Sequence, residues 1–144
     1  MSSDFTMKAM NKVHGGMLKL SGGRLGWRLY GMPVVELTTI GRKSGHPHTS
    51  LLTSPIQEGA AFVIVASRGG GPVHPAWFHN LRDNPVVTVR SGRKPAVKMN
   101  ARIAKGEEHD RLWKRIGETK PHYLGYQKKT DRVIPLVLLE PVNS

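Results

Sequence analysis

Residues 97–103 run Val97-Lys98-Met99-Asn100-Ala101-Arg102-Ile103, apolar and polar by strict turns. A period of two fits a strand with Val97, Met99, Ala101 and Ile103 on a core and Lys98, Asn100 and Arg102 in water. Before it, Val86–Arg90 is β-branched, and Ser91-Gly92-Arg93-Lys94 between the two has the composition of a hairpin turn. Hairpin links demand antiparallel neighbours. The same punctuation occurs earlier. Val34–Ile40 reads as a strand, Gly41–Gly45 as a turn, and His46–Ser54 as the returning strand. Glu58-Gly59 is a further tight turn before Ala60–Ala66, a continuous apolar run that fits a strand buried on both faces. Val133–Leu139 is the last strand, where Pro135 predicts an edge or a bulge.

Helical patterns fall between these strands. Pro75–Asn84 follows the third strand, with Pro75 suited to the first helical position and Asn84-Pro85 ending it. Glu107–Glu118 and Pro121–Lys129 follow the fifth; Leu112, Trp113 and Ile116 give the first of these an apolar face. A leader precedes the strands. Met10, Val13, Met17 and Leu20 form a helical stripe over 5–20 among lysines, and Ser21–Met32 is Gly-rich and irregular. That stripe fits either core packing or a basic helix resting on a membrane surface. Strands joined by short turns exclude the alternation of a Rossmann or barrel-type α/β chain. The expected class is α+β: a small antiparallel β-barrel of about six strands with helices around it. It forms one domain, with a leader over 1–32 and the barrel over 33–144.

A length of 144 residues supports one domain with a real core. No run of 18 apolar residues could span a bilayer, and no cleavable signal pattern opens the chain. Cysteine is absent, so disulfides, thiolate metal sites and cysteine nucleophiles are excluded. The expected home is the cytoplasm. Charge is the outlying quantity: 22 Lys and Arg against 10 Asp and Glu give a net +12. Such a surface suits nucleic acid, an anionic membrane face or a polyanionic small molecule, and charge alone does not choose among them.

Three segments could carry chemistry. Arg42-Lys43-Ser44 between Gly41 and Gly45 offers two cations, a hydroxyl and backbone amides, an oxyanion receptor or a solvated hairpin turn. Its spacing is not that of a P-loop. Ser67-Arg68-Gly69-Gly70 emerges from the apolar strand and lets a planar ligand or a phosphate approach the backbone, if it is not a plain loop. His74–Leu81 places Trp77 and Phe78 where they floor a pocket or pack in the core. The seven histidines lack acidic companions at metal-site spacing, so no metal is expected. No Ser-His-Asp elbow or carboxylate pair occurs. The cations are scattered and match no nucleic-acid-binding consensus, so no nucleic acid is expected.

Four segments taken in order resemble one family. They are LTTIGRKSG (Leu37–Gly45), VASRGG (Val65–Gly70), HPAWFHNLRDNPVVTV (His74–Val89) and YLGYQKKTDRVIPLVLLEP (Tyr123–Pro141). Together they are similar to the deazaflavin (F420)-dependent nitroreductase and quinone reductase family, over roughly residues 27–141. The resemblance implies a split β-barrel related to flavin-reductase barrels, with coenzyme F420 as cofactor. It implies that Arg42, Lys43, Ser44 and Gly45 bind the coenzyme's phosphate and oligoglutamate tail. It places Ala66, Ser67, Arg68, Gly69 and Gly70 near the deazaflavin ring, Pro75, Ala76, Trp77 and Asn80 beside it, and Tyr123 and Tyr126 around the substrate.

The chain departs from the family pattern at several points. Arg68 stands for a Lys, His48 for an Arg that would join the coenzyme site, Leu51 for a Pro, Thr53 for an aromatic and Lys120 for a tyrosine. The implied reaction is hydride transfer from reduced F420 to a quinone, enone or nitro compound. Ser67 is then a hydrogen-bond donor to the developing negative charge, and Tyr126 or Tyr123 the proton source. A flavin mononucleotide in the same barrel, or a non-catalytic deazaflavin- or anion-binding protein, are the rival readings. Docking to a cell membrane's inner face would bring the chain to quinones, and oligomeric state stays open.

Overall fold

A computed structural model describes residues 28–29 and 31–142; the leader helix expected over 5–20 lies outside the described residues. The strands are β1 (Arg28–Leu29), β2 (Met32–Ile40), β3 (Pro47–Thr53), β4 (Ile56–Glu58), β5 (Ala61–Val65), β6 (Val86–Ser91), β7 (Val97–Ile103) and β8 (Leu136–Pro141). The helices are α1 (Ala76–Asp83), α2 (Gly106–Thr119) and α3 (His122–Lys128). The sheet order is β1-β2-β6-β7-β8-β5-β4, with β3 also paired to β2, and every pairing is antiparallel.

This order positions the site. Successive neighbours from β2 to β5 alternate in direction, so β2 and β5 run the same way and end at the same end of the sheet. Laid flat, four steps of strand spacing would hold them about 19 Å apart. Yet Val35 and Leu37 of β2 share one buried cluster with Ile64 of β5, together with Val87, Val89, Met99, Ala101, Val137 and Leu139. The sheet is therefore curled into a split barrel, and Trp77, Phe78 and Leu81 of α1 pack into that cluster. On the outer face, Val63, Leu136 and Leu138 meet Leu112 and Ile116 of α2 and Tyr123 of α3. β5 and β8 are thus covered on both sides, as the unbroken apolar run at 60–66 predicts for β5. Each fully buried Leu or Ile contributes about 1.5–3 kcal/mol.

Five expectations need correction. Two short strands, β1 and β4, join the six. Met32 already belongs to β2, inside the span assigned to the leader. Val97 is half exposed, because the β6–β7 hairpin overshoots the core at that end. Pro135 marks neither an edge nor a bulge: β8 lies between β7 and β5, and the proline precedes its first residue, where a missing N–H costs the ladder nothing. Its carbonyl instead accepts from Ala66 N–H at 3.0 Å. Pro75 caps α1 from an extended conformation rather than opening it, and its carbonyl accepts from Phe78 N–H.

Candidate active site

The Gly41–Gly45 turn links β2 to β3 at one end of the barrel. Gly41 N–H donates to His46 O at 2.8 Å and Gly45 N–H to Gly41 O at 2.9 Å. Gly45 adopts a left-handed φ of 74°, which closes the loop without steric cost. Gly41 is required for a different reason: a Cβ there would lie 2.6 Å from Ser44 Oγ and 2.8 Å from His48 Nε2. Those two atoms are 3.3 Å apart, so His48 braces the turn through Ser44. Arg42, Lys43, Ser44 and Gly45 are exposed, and neither cation pairs with a carboxylate among the described residues.

Asn80 ties this turn to α1. Its Oδ1 accepts from Arg42 N–H at 3.1 Å, and its Nδ2 donates to buried Thr39 Oγ1 at 3.1 Å. Trp77 and Phe78 are core residues, so the pocket-floor alternative for their rings gives way to packing. Ala76 is exposed at the start of the helix. His79 lies beside Arg82 and Arg42; burial first, then these cations, hold its pKa below the ordinary value.

At the other end of α1 lies the loop after β5. Arg68, Gly69 and Gly70 all take positive φ, 48°, 65° and 82°. A Cβ at Gly70 would lie 2.8 Å from Tyr126 O and 2.9 Å from Lys129 Cβ, so the glycine lets α3 press onto the loop. Arg132 clasps the loop from behind. Its guanidinium donates to Ala66 O at 3.1 Å, Ser67 O at 2.7 Å, Gly71 O at 2.9 Å and His74 Nδ1 at 2.8 Å. Because arginine only donates, His74 accepts through Nδ1 and carries its proton on Nε2. Burial, then the charge of Arg132, lower the His74 pKa.

The two tyrosines differ. Tyr123 is buried, with its OH 3.2 Å from Thr53 Oγ1 and donating to Met32 Sδ at 3.8 Å. Burial raises its pKa. Tyr126 is half-buried, edge-on to Tyr123 at 5.7 Å, with Lys129 Nζ 5.9 Å from its ring centre. Lys120 caps the end of α2.

A continuous chain of contacts therefore runs from the Gly41 turn through Asn80 and α1 to His74, Arg132, the Ser67 loop and α3. The chain from residue 10 to residue 141 matches the family model described as F420H(2)-dependent quinone reductase. It belongs to that family.

Relatives of this quinone reductase family agree. The chain is 37% identical over 132 residues to an F420H(2)-dependent quinone reductase of Mycobacterium tuberculosis, covering 89% of this chain and 87% of that protein. A solved F420-H2 dependent reductase is 41% identical, with a TM-score of 0.66 over 75% of this chain and 94% of its own. A solved domain-swapped dimer is 36% identical, with a TM-score of 0.69 over 92% and 99%. Within the family fold, Arg132 and His74 are the site's unforeseen members. The signal was available: an arginine squeezed between a helix and the buried Ile134–Leu139 run needs carbonyl partners to be tolerated.

Proposed function

We propose that this protein is an oxidoreductase that draws electrons from reduced coenzyme F420 and delivers them to a quinone. Family membership supports F420 as the cofactor. The observation that carries the reading is a division of labour at one end of the barrel. Among the described residues, Arg42 and Lys43 at the end of β2 pair with no carboxylate, and Ser67 at the end of β5, 8% exposed, has an N–H and a hydroxyl with no hydrogen-bond partner. Cations suit a phosphate and carboxylate tail, and the glycine loop suits a flat ring. The residues therefore fit the coenzyme.

When bound, the reduced deazaflavin supplies a hydride from its ring carbon. The chain's own part is to hold and aim. Arg42 and Lys43 grip the tail, with Ser44 and Gly45 lending turn geometry and His48 support. Ser67 donates to the quinone oxygen that gains charge as the electron pair arrives. Tyr126 delivers the balancing proton from its phenol and recovers it from water, completing a two-electron, two-proton reduction to the hydroquinone. Enones and nitro compounds present the same kind of oxygen and fall within this reading. Docking of the leader to an anionic membrane surface would bring the site to its oily acceptor; among the described residues no helix is long and apolar enough to cross a membrane.

A fluorescence titration with oxidised F420 tests the proposal, followed by turnover assays with menaquinone analogues, enones and nitroaromatics. Saturable binding, weakened about tenfold or more by Arg42→Ala or Lys43→Ala, is expected from the loss of a charged contact. Uptake of flavin mononucleotide with indifference to F420 would overturn it.

A further inference from the structure

Arg132 spends four of its five N–H groups on one short loop and its neighbour His74. The loop is held at both ends: at the Ala66 and Ser67 carbonyls where it leaves β5, and at the Gly71 carbonyl where it turns toward α1. A trans peptide points its C=O and N–H in opposite directions. With Ala66 O drawn to the guanidinium, the N–H of Ser67 points away from it. Ser67 is right-handed at φ −77°, ψ −35°, and Arg68 follows with a positive φ of 48°. That step from right to left gathers successive N–H groups into a concavity that accepts a negatively charged oxygen. Two donors stand there without a hydrogen-bond partner among the described residues: the Ser67 N–H and the Ser67 hydroxyl, on a residue more than nine-tenths buried.

We propose that Arg132 is the positioning residue of the site, turning the Ala66–Ser67 peptide so that the Ser67 N–H, beside its hydroxyl, receives the oxygen of the electron acceptor. Arg132 itself lies behind the loop and does not touch the acceptor. The left-handed Arg68 is the strained element of this arrangement, since an L-residue pays for a positive φ, and the clasp on both flanking segments is what holds it. The proposal rests on the reductase reading, which supplies the acceptor.

The test uses the full chain with oxidised F420 bound, so that no turnover occurs, and a hydroxynaphthoquinone as probe, because it carries an anionic oxygen on a quinone frame. In the unaltered protein the Ser67 amide resonance moves downfield on adding the probe. In Arg132→Lys, whose single ammonium cannot span four acceptors set in a fork, that shift is lost. Turnover with a menaquinone analogue falls about a hundredfold in the variant, the lower end of the cost of losing an oxyanion donor. The affinity for F420 falls by a smaller factor than turnover, because the loop meets only the ring while the tail is held at a separate turn. Methylguanidine added to Arg132→Ala restores part of the turnover. An unmoved Ser67 amide in a protein that binds F420 overturns the proposal and leaves the reductase reading intact. So does an Arg132→Lys variant with unchanged turnover, or one that loses F420 affinity and turnover in equal measure. If Arg132→Ala fails to fold, the amide measurement on the unaltered protein still decides. Failure of the unaltered chain to bind F420 strikes the reductase reading instead.

Discussion

Asn80 and Arg42 lie 38 residues apart in sequence and are joined through one side-chain oxygen: Asn80 Oδ1 receives the Arg42 backbone N–H at 3.1 Å and faces its guanidinium Nη1 at 3.4 Å. The backbone contact fixes the turn and the side-chain contact aims the cation, so the two functions can be separated by substitution.

Asn80→Ala removes both contacts and the Nδ2 bond to Thr39, leaving buried polar groups unpaired. A loss of about 1–3 kcal/mol in urea unfolding is expected, with weaker F420 binding in the fluorescence titration. Asn80→Asp keeps an acceptor for Arg42 but adds a negative charge beside it. Stability should suffer less than in the alanine variant, while affinity for the acidic coenzyme falls at least as far. Equal affinity in Asn80→Asp and the parent would show that Arg42 does not serve the tail.

Gly70→Ala meets two obstacles at once, a φ of 82° and a Cβ 2.8 Å from Tyr126 O. Gly45→Ala meets only one, since its φ is 74° and nothing lies within 4 Å of the added carbon. The second should cost about 1–2 kcal/mol by thermal unfolding. The first should cost more and lower turnover as well, because α3 carries Tyr126. Equal costs would mean that α3 does not press on the loop.

Tyr123→Phe and Tyr126→Phe should fail in different assays. The first strips a buried hydroxyl from Thr53 and Met32 and should cost about 0.5–1.5 kcal/mol, with turnover per folded molecule little changed. The second should leave the melting temperature alone and slow proton delivery about a hundredfold, with an altered solvent isotope effect. The reverse pattern would exchange their roles.

Acid should weaken the fold in two stages. His74 and His79 titrate below their ordinary 6.5, through burial first and neighbouring arginines second. Below that value the unfolded chain binds protons that the folded chain refuses, so stability falls as pH drops beneath about 6.5. Glu58 and Glu108 titrate below 4.5, the first chiefly through its hydrogen bond from Arg111 and the second through that from Arg102. Their contribution is present above 4.5 and is lost as pH falls through their folded values. Melting temperature should therefore be level above pH 7 and bend downward twice below it. His74→Gln should flatten the first bend and Glu58→Gln the second; an unaltered profile in both would remove this account.

Much of the fold was legible because its signals are local. The alternation at 97–103, the apolar run at 60–66 and the glycine turns each specify a strand or a link without reference to anything distant. What escaped depended on partners far along the chain. Nothing within Val133–Leu139 says that its strand is flanked by β5 and β7, so a proline at its edge of the run suggested an edge of the sheet. Val97 fits its period and still stands in solvent, because hairpin length, not pattern, decides where the core stops. In the site, the cationic turn and the Ser67 loop announced themselves by composition. Arg132 did not, since its role exists only once 66 residues of chain have folded back to bring it to Ala66.

The curl of the sheet has a mechanical reading. The turn after β2 and the loop after β5 behave as the two jaws of a caliper, and β6, β7 and β8 are its bow. A substitution that opens or tightens the bow, such as a larger side chain at Ala101 inside the bend, resets the gap between the jaws without touching either tip. On the proposed reading of the site, the reach demanded of a two-ended ligand is gauged by strands that never meet it.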